Sequence, residues 1–146
     1  MTRLLIIIGI LVLIAGMAKG ISDALQFHYD TSFAAEFENR DWWDPSTSWT
    51  TSVQSMDGPE VAKYEGGDPK NGAAFPGSTT IFVFMTDAWH LFQMIEARAI
   101  DLALTLLLLL PTSVMTRGKL WPRAVLIMVG LFVVRWLGFS LWYSWL

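Results

Sequence analysis

Two histidines carry most of the chemical potential of this chain, and each has an aspartate close by: Asp30 follows His28 by two residues and Asp87 precedes His90 by three. On a helix Asp87 and His90 share a face, together with Met94 and Asp101. A carboxylate beside an imidazole orients the ring, as it does behind metal-bound histidines. Two His and two Asp are donors enough for a divalent metal, and two His alone are enough for a haem iron. His28, Asp30, Asp87 and His90 are therefore the candidate metal set, with His28 and His90 the candidate cofactor ligands. A single-histidine pigment ligand at Trp89-His90 is a further option, and a structural histidine bonded only to its neighbours is the plain one. No H-x-x-x-H, E-x-x-H or C-x-x-C-H spacing commits the chain to any of these. No catalytic residue is assigned, since neither a G-x-S-x-G elbow nor a Gly-rich phosphate loop after a strand is present. Cysteine is absent, which excludes thiolate catalysis, disulfides and Cys-ligated metals.

The elements that must position these residues are apolar. Of 146 residues 53% are hydrophobic and 16% charged, a balance that favours a membrane class. The formal net charge of −3 argues against a nucleic-acid partner, which needs clustered Lys and Arg. Three apolar stretches cover residues 4–18, a run ending at 102–115, and 125–146. The first also reads as a signal peptide with cleavage after Ala18; we take it as a retained anchor helix. Arg3 precedes the first stretch, and Arg117, Lys119 and Arg123 fill the short connection before the third. Basic residues near membrane ends stay cytoplasmic. The expected topology is N-terminus in and C-terminus out, with residues from about 24 to about 90 on the periplasmic side of a bacterial inner membrane. The fold expected is all-α and integral to the membrane, one domain over 1–146, with three transmembrane helices. They cover about 3–38 (with an outer extension), about 79–115 and about 123–146, and a loop-rich segment over about 39–77 joins the first two. Ser78-Thr79-Thr80 is the expected cap of the second helix.

Ionisable residues inside such helices are expensive and need partners. Counting roughly 1.5 Å per residue from the cytoplasmic edge places Lys19 and Asp101 at one level, roughly 23 Å up. Asp23, Glu96 and Arg98 then lie at roughly 27–30 Å, His28 and His90 at roughly 38 Å, and Arg135 at roughly 16 Å with a side chain able to reach toward Asp101. Lys19, Asp23, Glu96, Arg98, Asp101 and Arg135 form the expected structural charge cluster, in which Lys19 and Arg135 flank Asp101 and Asp23 faces Arg98.

Trp42, Trp43 and Trp49 crowd the start of the outer loop and need burial, against a partner surface or the bilayer interface. A lipid- or quinone-contacting site on Trp42, Trp43 and Trp89 is one consequence. Three blocks, Leu25-Gln26-Phe27-His28, Trp43-Asp44-Pro45-Ser46-Thr47-Ser48-Trp49 and Phe75-Pro76-Gly77-Ser78-Thr79-Thr80 with Thr86-Asp87-Ala88-Trp89-His90-Leu91-Phe92, make the chain similar to an uncharacterised group of small bacterial membrane proteins. The resemblance covers roughly the first two-thirds of the chain and implies no substrate, cofactor or activity. The function expected is that of a non-catalytic accessory or assembly subunit of a larger bacterial membrane complex, with the lipid bilayer and other membrane subunits as partners. An outer-face metal or haem/pigment site on His28 and His90 is the alternative.

Overall fold

The structure, a computed structural model, describes residues 2–45, 62–108 and 120–143. Its regular elements are helical: α1 (Thr2–His28), the four-residue α2 (Arg40–Trp43), α3 (Ala88–Leu108) and α4 (Leu120–Tyr143), with 3₁₀ turns between α1 and α3. Among the described residues the only extended pairing is one antiparallel bridge, Tyr64 to Ala73.

α1 is the hub, packing along both α3 and α4. It is apolar on nearly every side in its first half, so composition alone does not choose its inner face. Small residues do. Ile8, Val12, Ala15, Ala18, Ser22 and Leu25 recur at steps of three and four and are buried, whereas Ile6, Ile7, Ile10 and Ile14 stay exposed. On α3 the corresponding stripe is Ala88, Ala99 and Ala103. Small residues let helix backbones come close, which is how helices associate where no hydrophobic force separates them from their surroundings.

Two side-chain bonds set the register between α1 and α3. Gln93 Nε2 donates to Ser22 Oγ (3.2 Å) and Trp89 Nε1 donates to Gln26 Oε1 (3.2 Å). Four residues up α1 match four residues down α3, so the pair is antiparallel. Continued, this register sets Lys19 opposite Glu96 and Val12 opposite Ala103, and Val12 and Ala103 do share one core cluster with Ile8. α4 runs parallel to α1: Leu131 and Val134 pack at the level of Ile8 and Val12, and Gly138 meets Gly16.

Among the described residues one helical segment, Arg3–Thr31, is long and apolar enough to cross a membrane; Val125–Leu141 is a shorter apolar helix, and α3 carries Glu96, Arg98 and Asp101 in its middle. Three boundaries differ from expectation. The first helix does not run to 38 but ends at His28, followed by 3₁₀ turns at Tyr29–Thr31 and Phe33–Glu36. Thr31 Oγ1 donates to the His28 carbonyl (3.1 Å), and the Tyr29 carbonyl accepts both the hydroxyl (2.8 Å) and the backbone N–H (2.9 Å) of Ser32, a local bonding that closes a 3₁₀ turn in place of the next α-helical turn. The second helix starts at Ala88, not near 79, because Ser78 is spent elsewhere: its hydroxyl donates to the Lys63 carbonyl at 2.7 Å. The third begins slightly early, at Leu120, with Pro122 in its first turn, a position that a missing N–H suits. The expected end of helix 2 at 115, the basic connection with Arg117 and Lys119, and Trp49 lie outside the described residues.

Candidate functional site

Asp87 is the residue whose role differs most from its sequence reading. It is fully buried and sits immediately before α3. Its Oδ1 accepts the backbone N–H of His90 at 2.8 Å, and its carbonyl accepts the N–H of Leu91 at 3.1 Å. That is an N-cap, satisfying a helix-end donor that would otherwise be orphaned. Oδ2 lies 2.6 Å from His90 Nδ1 and 2.8 Å from Thr86 Oγ1. The Thr86 hydroxyl is also 2.7 Å from the Val83 carbonyl, and its single proton serves one of those two acceptors. The ring N–H at Nδ1 donates to the carboxyl, which in the neutral ring leaves Nε2 as the atom with a lone pair. The Trp89 ring stands edge-on to His90, 4.9 Å between centroids.

His28 and Asp30 do not join this pair. The inner face of α1 runs through Ser22 and Leu25 toward Tyr29, and His28 lies one position away, about 100° round the helix. His28 and Asp30 are both exposed. Among the described residues no group of three or more His, Asp or Glu side chains could hold a metal ion.

The charge cluster resolves into three pairs, with different partners from those that depth counting assigned. Lys19 Nζ bonds Asp23 Oδ1 at 2.5 Å along α1, one turn apart. Arg98 bonds Asp101 at 2.9 Å along α3, with both side chains largely exposed. Arg135 Nη2 bonds Glu96 Oε1 at 2.5 Å, between α4 and α3. The expected grouping of Lys19 and Arg135 around Asp101 fails on azimuth: Asp101 is five residues beyond Glu96, about 140° round α3. It fails on height as well, since the observed register sets Lys19 opposite Glu96 instead. Arg135 does reach away from its backbone level, as expected of a long cationic side chain, but its acid is Glu96. This bond matters because the backbones of α3 and α4 barely approach one another.

Sequence reasoning missed Gly16 and Gly138. A Cβ built on Gly16 would lie on the Arg135 carbonyl oxygen and 3.1 Å from Phe139 N; one on Gly138 would lie 2.6 Å from the Leu13 carbonyl oxygen. These glycines bring α1 and α4 into backbone contact and so set the height of Arg135. Glycine in the middle of an apolar helix, where no turn needs it, was the available signal.

Trp42 and Trp43 are partly buried by the chain itself, against the cluster of Ile21, Leu25, Ala34 and Ala88. Trp43 lies 5.0 Å from Phe37 and 6.3 Å from Phe92 by ring centroids, so an aromatic row ties the outer segment to the head of α3. No protein-family model, curated protein or solved structure matches the chain.

Proposed function

We propose that this chain is a three-pass protein of the bacterial inner membrane, N-terminus in and C-terminus out, acting as a non-catalytic accessory or assembly subunit of a larger membrane complex. The observation that carries the reading is the outward face of α3. Ala97, Arg98, Asp101 and Thr105 lie on that face, and the Arg98 and Asp101 side chains are 75% and 62% exposed. With α1 crossing from Arg3, the register puts Asp101 and Arg98 opposite residues roughly 17–21 Å up, inside a hydrocarbon core about 30 Å thick. A charged residue facing lipid at such depth costs about 2.5–3.5 kcal/mol on insertion scales. A second polypeptide packed on this face relieves that cost.

The rest of the surface supports the membrane setting. Leu126, Met128, Phe132 and Trp136 project outward around α4, and Ile6, Ile7 and Ile10 along α1. A helix apolar on all sides and uncovered by its own chain needs lipid or protein around it.

Native mass spectrometry from lipid nanodiscs tests the reading. The expected result is an assembly heavier than one 16.4 kDa chain, which the double variant Arg98→Leu, Asp101→Leu dissociates. A lone monomer in native lipid, unchanged by that variant, overturns it. One observation favours the second reading, a cofactor site: Asp87 holds His90 so that Nε2 is the atom available to a metal centre. It offers one ligand from this chain, and the remaining coordination would come from the cofactor or a partner.

A further inference from the structure

Between Lys70 and Asp87 the outer segment, otherwise rich in acids, contains no charged residue. Within that stretch residues 77–86 form a tied-down spur. Gly77 has φ 87°, and the N–H groups of Thr80 (3.0 Å) and Phe82 (2.9 Å) both donate to its carbonyl. A Cβ at Gly77 would stand 2.7 Å from the Phe82 ring, so glycine is needed there for both conformation and space. Ser78 is fully buried and pins the near end through its bond to the Lys63 carbonyl. Thr86 and the Asp87 cap, both buried, pin the far end to α3. Between these anchors three apolar side chains are exposed, Ile81 to 72%, Met85 to 54% and Phe82 to 40%, while Val83 and Phe84 are half-buried. Phe27, at the outer end of α1, is 64% exposed.

The level of this spur decides what it meets. The α1–α3 register sets Ala88 opposite Phe27. A helix that enters the hydrocarbon near Arg3 leaves it after about 20 residues, so Phe27 and the head of α3 stand in the headgroup zone. We propose that the 77–86 spur is a membrane-surface anchor, with Ile81, Phe82 and Met85 seated in the headgroup–acyl boundary of the outer leaflet. An apolar stretch without a charged residue in its own sequence, tied down at both ends, fits that boundary, where apolar side chains enter about 5–10 Å. A protein groove would more commonly be matched by some polar or charged contacts at its edge. The proposal rests on the three-pass reading.

The chain has no cysteine, so single nitroxide labels can be placed without background. The full-length protein is reconstituted in phosphatidylcholine–phosphatidylglycerol vesicles with labels at Ile81→Cys, Met85→Cys, Phe132→Cys and Lys70→Cys. Collision with oxygen and with a water-soluble nickel chelate is then read at each position. The expected result is that labels 81 and 85 are oxygen-accessible and several-fold shielded from the chelate relative to label 70, at a depth shallower than label 132. Labels 81 and 85 behaving like label 70, while 132 sits in hydrocarbon, overturn the anchor and leave the three-pass reading standing. Shielding of 81 and 85 from both reagents overturns it in favour of a protein contact. Label 132 in water removes the three-pass reading itself.

Discussion

Truncating Glu96 to Ala while Arg135 remains should destabilise the folded protein by about 2–3 kcal/mol. A buried charge stripped of its partner costs about 3–5 kcal/mol, and the lower figure applies because Arg135 keeps 43% of its side chain exposed and can swing outward. Replacing both partners, Glu96→Leu with Arg135→Leu, should recover most of that loss, since no unpaired charge is left and α4 is otherwise apolar around this position. A double-mutant cycle by reversible unfolding in mixed micelles reads the coupling. Single variants that are both harmless, or a double variant worse than their sum, would show that this ion pair does not hold α4 to α3.

Gly16→Ala should be the most damaging addition of a single methyl group. The new Cβ clashes with the Arg135 backbone carbonyl oxygen of α4, which no side-chain rotation can move aside. The helices must separate, and overpacking of this kind costs about 1–3 kcal/mol or more. Gly9 and Gly130 supply the control. A Cβ at either meets nothing within 4 Å, so Gly9→Ala and Gly130→Ala should be neutral or stabilising by up to about 1 kcal/mol, through helix propensity. The same unfolding assay checks the contrast. Equal effects at positions 9, 16 and 130 would contradict the close approach of α1 and α4.

The helices themselves were legible in the sequence. The apolar runs at 4–18 and 125–146 mark where α1 and α4 lie, although α1 stops ten residues short of its expected end, and the polar residues of α3 fall within a continuous helical pattern. The helix starts were harder to read. Asp87 and His90 at i and i+3 fit a ligand pair on one face, but they fit an N-cap and its N3 residue equally well. Only the position of the helix start separates the two. The hydroxyl cluster at residues 78–80 looked like that start, yet Ser78 finds its acceptor fifteen residues earlier, at Lys63, a pairing no local pattern reveals. The charge partners failed for a related reason. Depth counted from the ends of untilted helices carries no azimuth, and its height depends on where each helix begins. The observed register is set by contacts between helices, by Ser22 with Gln93 and by Gly16 with Gly138, not by where the helices begin. Each of the six helix charges does pair with one of opposite sign, but not with the partner that depth counting assigned.

The account depends most on the chain crossing the bilayer three times with the His90 end outside. Single-cysteine variants Lys70→Cys and Lys119→Cys, treated in intact cells with a membrane-impermeant maleimide, test this directly. The prediction is that position 70 is modified at once and position 119 only after the membrane is permeabilised. Modification of both from the same side would contradict it.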